Sequence, residues 1–333
     1  MSQFEGIESI NPKDFTHLRQ GETKWGEVMA IVRDPKTLAT EPARYILLGI
    51  PEDIGVRANG GRQGATEAWT QTLSTLCSLP APPNEWSHDL ALLGTVSCND
   101  LQQASLGLNP GDPADQKIFH QLITELDDRV TIIIQTIVES GKIPIVIGGG
   151  HNNSFGLLKG ASLATRQALN CLNIDTHADF RALEHRHSGN GFSYAVDQGH
   201  LNLYALLGLQ NAMTSREILA RIRAHHQQFY LVTYESLIDQ EITFDKALQN
   251  TIDFVGASPF GLEIDLDVIA QMGSSAQSPS GLTLDQVRAA LRHIKQQEHC
   301  QYVHLCEGAP EYGTSHQQVA KALALLIYDA VRP

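Results

Sequence analysis

At 333 residues, 42% hydrophobic and 18% charged, the chain has the length and composition of a globular protein able to bury a large core. Its net charge of -13, from 24 basic and 37 acidic residues, argues against a general nucleic-acid binder. The five cysteines, Cys77, Cys98, Cys171, Cys300 and Cys306, are an odd number without close CxxC spacing. They point to a reducing compartment and away from a disulfide framework or zinc ribbon. With no basic start ahead of an apolar core and no apolar run long enough for a bilayer, a cytoplasmic protein without a membrane partner is expected.

In chain order, Met1 to Ala43 reads as an extension packed on the body through Trp25, Val28, Met29 and Ile31. Tyr45 to Ile50, YILLGI, is a short apolar run bounded by Gly and Pro, the pattern of a strand buried on both faces. It opens into PEDIGVRANGGRQGATEAW, read as a glycine-rich loop carrying Asp53, Arg57, Asn59 and Arg62, and a helix follows from Thr66 or Glu67 to Leu79. Leu90 to Val96 is a second strand. The caps in NPGDPAD precede a helix from Gln116 to Ser140, whose Ile118, Leu122, Leu126, Val130, Ile133 and Ile137 are predicted core contacts. Ile143 to Ile147, a run ending at Ile174, Phe229 to Val232, Gly261 to Ile264, and Tyr302 to Cys306 are further strands. Helices are predicted over Ser215 to His225, Leu284 to Glu298 and Ser315 to Val331. Strands and helices in alternation predict an α/β protein, three layers α/β/α with a mainly parallel central sheet, in a single domain over 1–333.

Open parallel sheets bind ligands beyond the carboxyl ends of their strands. Four predicted strands end in chemistry: Ile147 runs into GGGHNNSFG with His151; Ile174 into Asp175, His177 and Asp179; Ile264 into Asp265 and Asp267; and the last strand into Glu307 of HLCEGAP. Asp175, His177 and Asp179 recur at every second position, so an extended backbone turns all three to one side. Alone, that triplet also suits a solvated loop whose Asp bonds its own backbone. Two histidines and four aspartates exceed the three protein ligands of a catalytic zinc but suit two ions sharing carboxylates, with the imidazoles favouring Mn over Mg. Two metals about 3.5–4 Å apart can acidify a shared water, which implies metal-assisted hydrolysis.

At these residues the chain resembles the ureohydrolase family of arginases, agmatinases and formimidoylglutamases. The family is marked by GGxH, DxHxD and DxD segments in order, matched here by GGGH, DTHAD and DLD. The GVRANGGRQGA loop is closest to the formimidoylglutamase branch. The resemblance implies an arginase-like fold and two Mn ions, with Ni or Fe as substitutes. It puts His151 and Asp179 on one ion and His177 and Asp267 on the other, with Asp175 and Asp265 bridging. It further implies that Asp179 moves a proton to the departing amine, that Glu307 bonds the cationic substrate head, and that the chain forms a trimer or hexamer.

Ser188 and Asn190 match the SGN segment with which arginase-like enzymes hold the amino-acid end of the substrate. Arg181, Arg186 and His187 share that loop, and Arg57 and Asn59 approach from the first loop, an arrangement suited to a carboxylate-bearing substrate. Gly191, Phe192 and Ser193 stand where arginase-like enzymes carry a proton-shuttling histidine. His187 is therefore the candidate shuttle, with Asp179 or water as the alternative. The DxD segment continues as VIAQ where Asp-Pro is usual, and Asn152 stands beside a ligand where acids or Ser are common. His225, His226 and His299 read as surface residues, and His304 as core or as a group behind the ligands. The expected reaction is hydrolysis of N-formimidoyl-L-glutamate to L-glutamate and formamide. The alternatives are release of urea from a guanidino acid, agmatine or guanidine, and a catalytically silent metal-binding relative.

Overall fold

The computed structural model describes residues 6–83, 86–315 and 317–333. Met1 to Glu5 of the predicted extension and His316 of the predicted last helix lie outside these described residues. Among the described residues, ten strands form one sheet: β1 (Ile7–Glu8), β2 (Ala30–Ile31), β3 (Tyr45–Gly49), β4 (Leu90–Val96), β5 (Ile143–Ile147), β6 (Leu169–Ile174), β7 (Leu201–Leu209), β8 (Phe229–Thr233), β9 (Phe260–Asp265) and β10 (Cys300–Cys306). Their order is β1-β4-β3-β5-β10-β9-β6-β7-β8, with β2 also against β4. Every pairing is parallel except β1 with β4.

Side chains alternate between two cores, as the period-2 pleat requires. On one face Leu47, Ile145, Ile147, Leu172, Leu262 and Leu305 pack against helices Glu67–Cys77, Phe244–Val255, Leu284–Ile294 and Gln318–Val331. On the other, Ile46, Leu48, Val146 and Cys171 meet helices Pro113–Glu139, Asn153–Thr165 and Gly191–Asp197. The result is the three-layer α/β/α arrangement. Trp25 is fully buried in the first core, stacked edge-on against Trp86 and Tyr328, whereas Val28 and Ile31 are only partly buried.

Two expectations are corrected. Ile118 is exposed and Leu122 half-buried; the inward positions at that end of the long helix are Phe119 and Ile123. Steps of four residues advance 40° more than a full turn, so 118 and 122 drift off a face that 119, 123, 126, 130, 133 and 137 hold by mixing threes and fours. The segment read as a loop after β3 contains a short helix, Ile54–Ala58. β7, which the sequence reading passed over, begins Leu201–Asn202–Leu203 with Leu201 buried, Asn202 exposed and Leu203 half-buried, so a polar residue interrupts the apolar run near its start.

Candidate metal centre

The strands that end in GGGH, DTHAD, DLD and Glu307 are four consecutive neighbours, β5-β10-β9-β6. Sheet order therefore brings together residues as far apart as His151 and Glu307. Locally, Asp175 and Asp265 make the same turn: Asp175 Oδ1 accepts from His177 N at 2.7 Å, and Asp265 Oδ1 from Asp267 N at 2.8 Å. Each aspartate thus spends one oxygen on the backbone two residues on, an Asx-type turn, and aims the other inward.

The inward Oδ2 atoms of Asp179, Asp175 and Asp265 stand 2.9, 3.2 and 3.3 Å from His151 Nδ1. His151 is fully buried, yet neither ring nitrogen has an aligned hydrogen-bond partner. A buried imidazole facing three carboxylate oxygens without hydrogen-bond geometry is a donor set for a cation. Beside it, His177 Nδ1 lies 2.9 Å from Asp267 Oδ2 and 3.8 Å from Asp175 Oδ1. The two donor sets, His151, Asp175, Asp179 and Asp265, then Asp175, His177 and Asp267, share Asp175. All six sequence-predicted ligands are therefore brought together, and the residues fit a pair of divalent ions.

One of these six, and Glu307 beside them, carry backbone strain. Asp179 has φ +45° and Glu307 φ +60°, a region costly for side chains other than glycine and found where a site demands a particular direction. Glu307 Oε1 accepts from His151 N at 2.8 Å and Oε2 from Ser275 Oγ at 3.2 Å. Burial pushes its carboxyl up to about 8, against the His151 N–H bond that lowers it. Burial likewise raises Asp175 to about 6, with the charges of Asp179 and Asp267 adding to it.

Next to these ligands lies a cavity of about 620 Å³ lined by His177, Asp179, Asp265, Asp267 and Glu307 on one side and by Asn59, Arg181, Ser188 and Arg221 elsewhere. Arg181 is held by Asn59 Oδ1 at 2.6 Å and Glu184 Oε1 at 3.0 Å, and Asn59 Nδ2 donates to Ser188 Oγ at 3.3 Å. The other predicted substrate residues are engaged elsewhere. Arg57 pairs with Asp53 at 2.8 Å and bonds Ser105. Asn190 Oδ1 accepts from Arg186 and from His187 N, and it braces the loop. Neither lines the cavity.

His187 does not line it either. It faces a smaller recess of about 310 Å³ with His185 and Gln116. Its Nδ1 accepts from Gly189 N at 3.1 Å and its Nε2 faces Glu184 at 2.9 Å. The predicted shuttle is thus turned away because the tight HSGN turn uses the ring as a cap. Burial lowers its pKa to about 4, so it stays neutral across the physiological range. The expected outcome for His187→Gln is a kcat within about threefold of the parent and no change in the pH–rate profile between pH 5 and 9, read by steady-state kinetics.

Sequence reasoning missed Arg221 and Glu52. Arg221 sits on helix Arg216–Ala224, its Nε donating to Phe180 O at 3.3 Å with its guanidinium over the Phe180 ring. No carboxylate within the described residues pairs with it. The fully buried Glu52 accepts from Gly150 N, Asn152 Nδ2, Asn153 Nδ2 and Ile54 N. That clamp accounts for Asn152: its amide ties the His151 loop to Glu52. The acid in PEDIG was readable as polar, but nothing local marks its partners a hundred residues away.

The model of the arginase family matches residues 43–332. A formimidoylglutamase from Aromatoleum aromaticum is 30% identical, over 77% of this chain and 74% of that one. One from Geobacillus kaustophilus is 29% identical, over 90% of this chain and 88% of its own length. Among solved structures, the formimidoylglutamase of Bacillus subtilis superposes with a TM-score of 0.74 at 18% identity, covering 95% of this chain and 93% of that one. Trypanosoma cruzi formiminoglutamase with Mn superposes at 0.73 and 18% identity, covering 93% and 97%.

Proposed function

Since the chain belongs to the arginase family, we propose that it is a binuclear manganese hydrolase that converts N-formimidoyl-L-glutamate and water to L-glutamate and formamide. The observation that carries this reading is His151 Nδ1, buried among three carboxylate oxygens and beside a second His–Asp donor set. His151 and Asp179 would hold one ion and His177 and Asp267 the other, with Asp175 and Asp265 shared. Bound there, the ions supply Lewis-acid charge and bring the pKa of a shared water near neutrality.

The chain's own groups account for the rest. Glu307, at the cavity wall, meets the planar N–H donors of the amidine head through charge-assisted hydrogen bonds. As the water oxygen bonds to the amidine carbon, Asp179 takes a proton and delivers it to the glutamate nitrogen. The C–N bond breaks, the amine leaves protonated by that transfer, and the carbon departs as formamide. Arg181 and Arg221 give the cavity two guanidinium groups for a substrate with two carboxylates, a planar-fork match that agmatine does not offer. A guanidino acid would use one of the two. We further read the chain as a single ureohydrolase-like domain, with its N-terminal extension to residue 43 packed on the body over the described residues 6–43, acting in the cytoplasm as a homo-oligomer.

Arg221→Met should raise KM for the dicarboxylate about 10- to 100-fold, the worth of a charged hydrogen bond, with kcat within about threefold. Steady-state kinetics reads both, and a fall in kcat at unchanged KM would exclude the role.

Metal binding also sets a pH signature. Asp175 and Asp265 are raised by burial, and the Asp267 charge holds His177 well above the usual imidazole range. Groups raised on folding contribute stability that is present below their unfolded pKa values and lost as pH rises through the folded ones. Across pH 5 to 8 these residues therefore destabilise the metal-free protein progressively, whereas Mn affinity rises as ligands lose protons. The difference in Tm between Mn-saturated and metal-free protein should widen from pH 5 to 8 in scanning calorimetry. A constant or narrowing gap would count against the donor set.

The function itself is tested with Mn-loaded protein against N-formimidoyl-L-glutamate, a guanidino acid, arginine, agmatine and guanidine. Formamide from the first alone is the expected result, and urea from a guanidino compound would overturn the substrate.

A further inference from the structure

Behind His151, on the side away from the aspartates, β9 and β10 carry polar groups deep inside the sheet. His304 pairs in register with Glu263, and Tyr302 with Gly261. Glu263 and His304 are fully buried, and Tyr302 lies in the core below them. Glu263 Oε1 accepts from Tyr302 OH at 2.7 Å, and Oε2 bonds His304 Nδ1 at 2.5 Å. The same Oε2 stands 3.4 Å from His151 Nε2, within reach of it though not in hydrogen-bond alignment, while Phe192 closes on the His151 ring edge-on with centroids 5.2 Å apart.

Two glycines make room for this arrangement. A Cβ at Gly148 would stand 2.2 Å from His304 Nε2, and one at Gly261 would stand 2.1 Å from Tyr302 Cζ. The first glycine of GGGH therefore leaves space for the imidazole behind the metal ligand, and Gly261 does the same for the phenol. A buried carboxylate is costly unless it is fully bonded, and here two donors from the neighbouring strand hold it in one orientation. Once His151 Nδ1 is committed to an ion, its hydrogen must sit on Nε2. That buried N–H needs an acceptor, and the carboxylate on that side is Glu263. His177 has no counterpart behind it within the described residues, and its ring is one-third exposed.

We infer that Glu263, fixed by Tyr302 and His304, is the positioning residue of His151: it accepts the Nε2 hydrogen and keeps Nδ1 turned toward Asp175, Asp179 and Asp265. The inference rests on the proposed metal reading of the site. It assigns Glu263 to one ion of the pair only, so its loss acts asymmetrically.

Mn²⁺ titration of metal-free protein by isothermal calorimetry tests this, with Glu263→Gln, which keeps the size and removes the charge. One of the two Mn equivalents should weaken about 10- to 100-fold, the usual cost of losing the group behind a ligating histidine. The other should stay within about threefold, and KM should be unchanged at saturating Mn. Tyr302→Phe removes one hydrogen bond to Glu263 and should weaken the same equivalent by a smaller factor; it carries the test if the Gln variant does not fold. Two equivalents at parental affinity in a folded variant would overturn the inference, as would equal weakening of both. Parent protein that takes up fewer than two ions would instead overturn the metal reading.

Discussion

Asp175→Asn should lower kcat at least about a thousandfold at any attainable Mn concentration, well beyond the 10- to 100-fold cost of losing a group behind a ligand. Asp175 is fully buried and belongs to both donor sets. Its Oδ1 holds His177 N, while Oδ2 receives Asn173 Nδ2 at 2.9 Å and faces His151 Nδ1. Asparagine keeps the volume and one oxygen for the His177 turn, so the fold survives. It removes the negative charge that both proposed ions would share and puts a donor amide where the proposed ligand oxygen stood. Burial and the charges of Asp179 and Asp267 disfavour ionised Asp175 in the metal-free state, which offsets the Asn173 Nδ2 bond that the amide loses, so the metal-free variant should melt close to the parent. Loss of turnover with an unchanged metal-free Tm separates a ligand from a packing residue. Parental activity would show that Asp175 is not shared.

Asp127→Ala should cost about 3–5 kcal/mol of stability, because it leaves a buried guanidinium without its counter-charge. Arg186 is 2% exposed. Its Nε and Nη2 bond the two Asp127 oxygens at 2.9 and 3.1 Å, Nη1 bonds Asn190 Oδ1, and Nη2 also reaches Asn152 O. The Phe155 and Tyr194 rings flank it. This one side chain therefore ties helix Pro113–Glu139 to the 181–190 loop and to the residue after His151. Denaturant unfolding reads the loss. The double variant Asp127→Leu with Arg186→Met should recover part of it, since removing both charges leaves none unpaired. A loss below about 1 kcal/mol in the single variant would mean that the pair is solvated and weak.

The proposed metal ligands were legible as a cluster because each sits where a continuous apolar run stops, and a parallel sheet gathers such ends along one edge. Chain order does not announce that β5, β10, β9 and β6 are neighbours, but the donor types require them to be close. Arg181 and Arg186 show the opposite case. They stand five residues apart in one loop with similar surroundings in sequence, yet one lines the cavity and the other is buried against Asp127, a partner set by the packing of a distant helix. His187 was misplaced for the same reason, since the turn it caps depends on three-dimensional closure of the loop. Glu263 left a signal that went unread, an acid inside GLEID in the middle of a strand read as buried, where an ionisable side chain is rare without partners; His304, inside YVHLC, reads from the sequence as core or as a group behind the ligands. Ile118 failed on helical geometry alone.

The most direct test of the central claim is a Mn²⁺ titration of metal-free protein in the presence of N-formimidoyl-L-glutamate, with bound metal and released formamide measured at each addition. The predicted result is two ions per chain, with formamide release completed by the second equivalent. Saturation at one ion, or two ions bound without formamide release, would contradict it.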